Sequence, residues 1–191
     1  MTSAPTLPSR PHRALFLDRD GTLIVHRPYL FRPDEVELLP GVRDALCAAR
    51  QAGYLLFLFT NQSGVGRGLF AMKDVHAVHR RMLELLDLGT DLFADTCIAP
   101  EKPGDASLYR KPSPRFIEEC IARFQLDRTQ TWMIGDSVSD WKAGANARIR
   151  SAAIRSDLTT PESESLRAQL GIRLHDSLSD FVAGLPIAEA W

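Results

Sequence analysis

Cysteine is scarce in this chain: three thiols, Cys47, Cys97 and Cys120, in 191 residues. So few, so far apart, exclude a disulfide-stapled secreted scaffold and favour a reducing, cytoplasmic setting. Net charge is nearly absent too. Against 23 Lys and Arg stand 24 Asp and Glu, a balance of −1, and no basic run forms an electrostatic footprint, which excludes nucleic acid as the main partner. No apolar run approaches the roughly 20 residues of a membrane helix. Met1 to His12 carries three prolines and no apolar core, so it reads as a flexible leader, neither a secretory signal nor a span. Internal repeats and low-complexity tracts are missing. What remains, 45% hydrophobic and 25% charged residues, is ordinary for a soluble globular protein, and residues 13–191 suit one domain. Nothing in the composition asks for a partner chain, so a monomer or weak dimer is expected.

The chain is organised around Ala14-Leu15-Phe16-Leu17-Asp18-Arg19-Asp20-Gly21-Thr22. Four apolar residues in a row fit a strand buried on both faces of a parallel sheet, and Gly21 allows a sharp turn at its end. Carboxyl ends of strands are where open α/β sheets bind ligands. Alternation along an extended backbone sends residues i and i+2 the same way, so Asp18 and Asp20 share a pocket. Two such charges repel unless a cation or a proton compensates, and an oxygen-preferring divalent ion, Mg²⁺, is the simplest answer. Taken alone, the four residues Asp18 to Gly21 could equally be a polar turn.

The rest of the chain repeats the theme. Residues 24–33, with Pro28 and Pro33, form an irregular segment placed to lie over the pocket and to touch a substrate through His26, Arg27 and Tyr29; a plain connecting loop is the alternative. A helix follows Pro40-Gly41 and stops at Gly53. Tyr54 to Phe59 is a second apolar strand, running into Thr60-Asn61-Gln62-Ser63-Gly64, where a hydroxyl and backbone N–H groups freed by Gly64, Gly66 and Gly68 offer what a phosphate needs. Lys73 to Leu88 is an amphipathic helix whose His76 and His79 read as two solvated histidines, not a metal pair. Phe93 to Ala99 is a third strand, Pro100 to Ser107 a loop closed by Arg110-Lys111-Pro112, and Pro114 to Phe124 a helix. Thr131 to Ile134 is a fourth strand ending in Gly135-Asp136-Ser137, with Asp140 one helical turn on and a helix from Val138 to Ala147. Ala152 to Ile154 is a fifth strand, and Pro161 to Leu170 and Ser177 to Val182 are helical. This alternation predicts an α/β, Rossmann-like three-layer sandwich with a mainly parallel central sheet.

Four strand ends thus deliver Asp18 and Asp20, Thr60, Lys111 and Asp136. One carboxylate can attack phosphorus and become an aspartyl phosphate, while Thr60 and Lys111 hold the oxygens of the transferring group. A divalent ion gripped by Asp18 and Asp136 offsets the repulsion between carboxylate and phosphate. Asp20 is placed to protonate the leaving alcohol and then to deprotonate the attacking water.

In order, the segments D-R-D-G-T, T-N-Q-S-G, R-K-P and G-D-S-x-x-D resemble the four motifs of haloacid dehalogenase superfamily phosphatases. Over roughly residues 14–155 the wording is similar to the D-glycero-D-manno-heptose 1,7-bisphosphate phosphatases and the related histidinol-phosphate phosphatases. The resemblance implies Asp18 as nucleophile and Asp20 as acid/base. It implies Mg²⁺ on Asp18, the backbone carbonyl of Asp20, and Asp136. It implies phosphate or substrate contacts at Thr60, Asn61, Gln62, Ser63, Lys111, Arg110 and the His26–Tyr29 loop, with Arg19 counted among them. Members often hold a structural zinc before R-K-P through a C-x-H and a C-x-C pair. Here those positions read Cys97-Ile98-Ala99 and Ser107-Leu108-Tyr109, too few ligands for a tetrahedral site, so no structural zinc is expected. No stretch is long enough for a large cap domain.

The functional expectation is a Mg²⁺-dependent phosphomonoesterase acting on a small phosphorylated metabolite, a heptose 1,7-bisphosphate or a similar sugar phosphate, with histidinol phosphate as the alternative. A receiver-like signalling module would share paired acids, a hydroxyl and a lysine, but it lacks the second acid that permits turnover. A carbon–halide hydrolase on the same scaffold would need neither Asp20 nor a metal. A catalytically dead binding protein is the third rival.

Overall fold

The computed structural model describes residues 11–186. Six strands form one parallel sheet in the order β3-β2-β1-β4-β5-β6. They are β1 (His12–Leu17), β2 (Tyr54–Asn61), β3 (Asp95–Ala99), β4 (Leu126–Gly135), β5 (Arg150–Ile154) and β6 (Leu174–His175). The helices between them are α1 (Val42–Gln51), the short turn α2 (Ser63–Gly66), α3 (Met72–Leu86), α4 (Arg115–Phe124), α5 (Val138–Asn146), α6 (Pro161–Gln169) and α7 (Leu178–Ala183). This is the expected Rossmann-like sandwich. No helix among the described residues is long and apolar enough to cross a membrane.

The period-two geometry of β1 builds both cores. Leu15 and Leu17 face one side, with Val42, Leu46, Val78, Met82 and Phe181 of α1, α3 and α7. Ala14 and Phe16 face the other, with Phe116 and Ile117 of α4 and Ala143 of α5. Phe16 stacks on Phe57, ring centroids 4.7 Å apart, and meets Phe116 edge-on at 5.7 Å, geometries that suit aromatic quadrupoles. A strand covered on both faces has no polar alternate positions, which is why β1 reads as an unbroken apolar run.

Order matters more than count. From β1 the chain winds one way through β2 to β3 and the other way through β4 to β6, so the topological switch lies between β1 and β4. A crevice opens at their carboxyl ends. There, the Asp18 N–H donates to the Ile134 carbonyl at 2.9 Å.

Several boundaries differ from the sequence expectation. His12, placed in the leader, starts β1 and pairs with Leu126; the remaining leader residues 1–10, like 187–191, lie outside the described residues. β4 begins at Leu126, five residues before Thr131, because the Asp127 carboxylate accepts from Thr129 and Gln130 and lets polar residues run with the strand. β6 is two residues long, too short for alternation to show. His79 is not solvated: it is half-buried beside Phe93, ring centroids 6.4 Å apart, and burial, with Arg19 and His76 nearby, pushes its imidazole down to about 4.

Candidate active site

Side chains distant in sequence converge in the crevice. Lys111, 93 residues from Asp18, donates through Nζ to Asp18 Oδ1 at 2.8 Å and to the Phe59 carbonyl at 2.7 Å, and pairs with Asp140 Oδ1 at 2.5 Å. Lys111, Asp18 and Asp140 are all buried. Burial alone would lower the ammonium's pKa, but the Asp140 and Asp18 carboxylates outweigh it, so Lys111 is raised and stays charged. Its loop is tied down by Asn61, whose amide accepts from Lys111 N at 2.9 Å and donates to Lys111 O at 3.1 Å. The Asn61 amide is therefore committed to positioning Lys111, although Asn61 also lines the pocket described below.

Asp18 and Asp136 sit in an acidic environment. Burial is the first cause pushing Asp18 up to about 8, with Lys111 opposing it and Asp140, Asp136 and Asp20 adding to it. Burial likewise pushes Asp136 up to about 7, with Asp140 adding to it and Ser156 and Lys111 opposing it. Carboxyl oxygens of Asp18, Asp136 and Asp140 lie within 4.8 Å of one another. One of them is uncommitted: Asp136 Oδ2 is buried with no hydrogen-bond partner. Gly21, at φ +80°, leaves room beside it, since a Cβ there would stand 2.1 Å from that oxygen. An orphaned hard oxygen among acids starved of positive charge fits a divalent cation. Asp140 has less to offer such an ion, because Ser137 N and Oγ donate to its Oδ2 at 3.0 and 2.7 Å and Lys111 holds the other oxygen.

The Asp20 carboxylate stands apart from that cluster. Gln62 Nε2 donates to it at 2.8 Å and also to Thr60 Oγ1 at 2.9 Å. Arg19 donates to both Asp20 oxygens, at 3.0 and 3.3 Å. One expectation needs correction here. Arg19, expected among the substrate contacts, has a fully buried side chain in the turn that follows β1, and its guanidinium is committed to the Asp20 carboxylate, which it orients. The Asp20 carboxylate lies outside the acidic cluster, and the metal-binding expectation for this residue concerns its backbone carbonyl alone.

A pocket of about 310 Å³ opens in front of Asp20. His26, Arg27 and Tyr29 from the loop after β1 line one side, and Asn61, Gln62, Ser63 and Phe70 from the segment after β2 line the other. The loop after β1 therefore does lie over the site. Arg110 is not in the lining: its guanidinium donates to the Glu101 carbonyl at 2.7 Å. At the positions compared with zinc ligands, burial pushes the Cys97 thiol up to about 12. Ser107 Oγ accepts from Arg110 N at 3.0 Å, and Tyr109 donates to Glu119 at 3.1 Å.

Neither the part of Asp140, the last residue of G-D-S-x-x-D, nor the place of Phe70 in the pocket lining follows from the sequence pattern. The spacing Asp136-x-x-x-Asp140 was visible in the sequence, but only the fold shows that it ends on Lys111.

Comparison with known proteins agrees with this geometry. A family model of haloacid dehalogenase-like hydrolases matches residues 27–148. The D-glycero-beta-D-manno-heptose-1,7-bisphosphate 7-phosphatase of Helicobacter pylori is 35% identical over 156 residues, 80% of this chain and 90% of that protein. Its counterpart from Rhodopseudomonas palustris is 37% identical over 149 residues, 74% and 82%. Among solved structures, D,D-heptose 1.7-bisphosphate phosphatase from B. bronchiseptica, complexed with magnesium and phosphate, superposes with a TM-score of 0.76 at 28% identity, over 90% of this chain and 96% of that one. With its acids, lysine and hydroxyl assembled at the switch point of such a sheet, the chain belongs to the haloacid dehalogenase-like hydrolases and is a phosphatase.

Proposed function

We propose that the chain is a Mg²⁺-dependent phosphomonoesterase that passes through an aspartyl phosphate on Asp18, with a heptose 1,7-bisphosphate or close sugar phosphate as its substrate. The observation that carries this reading is the arrangement of two acids with different tasks. Asp18 is buried and bound to Lys111, while Asp20 lies two residues on, at the pocket, held by Gln62 and Arg19. The names of the relatives supply the sugar.

Lys111 occupies Oδ1 of Asp18, which leaves Oδ2 to attack phosphorus. As the new O–P bond forms, the bond from phosphorus to the sugar oxygen breaks, and Asp20 gives that oxygen its proton. Asp20, now a carboxylate, takes a proton from water. The water attacks the phosphorus of the acyl phosphate, releasing inorganic phosphate and restoring Asp18. Thr60 and Lys111 steady the phosphoryl oxygens while charge shifts. Asp18, Asp136 and the Asp20 carbonyl would hold Mg²⁺, which when bound offsets the repulsion between carboxylate and dianionic phosphate. An acid at the position of Asp20 weighs against a receiver-like module, whose acyl phosphate must persist. A cytoplasmic setting belongs to the same reading, supported by three free cysteines.

The test is phosphate release from a panel of sugar phosphates and histidinol phosphate. Turnover of a heptose bisphosphate ahead of the others is expected. D20N should lower kcat by about 10²–10⁴-fold, the usual worth of a positioned acid/base, and D18N should abolish turnover. Near-full activity in D18N overturns the mechanism, and preference for histidinol phosphate overturns the substrate.

A further inference from the structure

The pocket in front of Asp20 sets polar side chains beside an apolar surface to which Pro28, Tyr29, Leu30 and Phe70 contribute, and Phe70 is an aromatic wall held in place from two directions. Phe70, on the segment between α2 and α3, stacks on Phe31, which belongs to the loop after β1; the ring centroids are 5.8 Å apart and the planes 17° from parallel. From below, the ring rests on the backbone of Gly64, where a Cβ would stand 2.2 Å from it. The lack of a side chain at Gly64 is therefore what lets Phe70 lie against the loop. Phe31 is 46% exposed, so the stack sits at the rim, joining the two loops that frame the pocket. A ring clamped in this way has given up its rotamer freedom before any ligand arrives, and packing on it costs correspondingly little entropy.

Resting on the sugar-phosphate reading above, we propose that Phe70 is a specificity-determining residue. Its ring receives the carbon face of a cyclic sugar while the phosphate lies at Asp18. A pyranose ring carries several C–H groups on one face and hydroxyls around its edge. The pocket offers a flat apolar wall in Phe70 and donors or acceptors in His26, Arg27, Gln62 and Ser63. An apolar wall with a few convergent polar groups is how a site fixes the orientation of such a ligand. An acyclic ester of the same charge has no face to lay on the ring.

The experiment compares kcat/KM for a heptopyranose bisphosphate with that for glycerol 3-phosphate in wild type, F70A, F70L and F70Y. F70A is expected to lower the cyclic-to-acyclic ratio by about 5–10-fold, with the loss in KM for the cyclic substrate, in line with the worth of a packed aromatic contact. F70Y should keep the ratio and F70L lose part of it; F70L carries the test if F70A does not fold. An unchanged ratio in F70A and F70L, with both substrates falling together, overturns the proposal and leaves Phe70 as a tie between loops. So does a ratio lost in F70Y as fully as in F70A. Wild type that releases phosphate from neither ester overturns instead the reading on which this one rests.

Discussion

Lys111 sets the charge balance of the site. It stands 2.8 Å from Asp18 and 2.5 Å from Asp140, with all three side chains buried or nearly so. Breaking a buried pair by removing one partner leaves an uncompensated charge and costs roughly 3–5 kcal/mol. K111M should lose about that much stability in urea unfolding, and K111M/D140N should recover part of it; equal loss in both would mean that Asp140 does not depend on Lys111. A second residue-scale expectation concerns His79. Burial holds its folded pKa down at about 4 against an ordinary value of 6.5, so the unfolded chain binds more protons between those values. Stability then falls as pH drops through that window. The urea midpoint should decrease from pH 7.5 to pH 5 by more in wild type than in H79L. Parallel pH profiles would rule the imidazole out as a source of acid sensitivity. At this scale the sequence was a partial guide: it marked Asp18, Asp20 and Lys111 as chemistry, yet it turned Arg19 toward substrate and His79 toward solvent.

At the scale of elements, the turn after β1 does most to shape the site. Gly21 is at φ +80°, a conformation that costs an L-residue about 1–2 kcal/mol, and a Cβ there would collide with the Asp136 carboxylate. G21A should therefore lose activity by about 10²-fold, the scale expected when a catalytic group is displaced by about an ångström. G53A, at φ +82° with nothing within 4 Å of the added Cβ, carries the same backbone strain without the collision. It should lower the melting temperature while leaving kcat/KM near wild type. Equal activity loss in the two would refer the effect to strain alone. β1 and β2 were legible because strands buried on both faces have no polar alternation. β6 was not, since its two residues carry no period, and the start of β4 was hidden by the polar stretch Asp127–Gln130.

For the molecule as a whole, the order β3-β2-β1-β4-β5-β6 places the ends of β1 and β4 side by side, so Asp18 and Asp136 meet across the switch point. If these acids bind a cation in the folded state only, mass action stabilises the protein by about 2.7 kcal/mol at 100 times Kd. For a chain of this size that is a melting-temperature rise of about 5–10 °C. Mg²⁺ should produce such a shift in wild type and not in D136N, measured by scanning calorimetry. An equal shift in both would place the ion elsewhere.

The sequence by itself determined the layered α/β architecture and marked the two acids, the hydroxyl and the lysine that stand in or beside the crevice. These follow from local rules, the period of two along a strand and the turn residues at its end, which neighbours in the chain decide. Tertiary structure alone decided that Asp140 secures Lys111, that Arg19 holds Asp20 from beneath, and that Phe70 walls the pocket against Phe31. Those pairings depend on sheet order and on how helices close over the two faces. Packing settles both among residues far apart in the chain, so no local pattern records them.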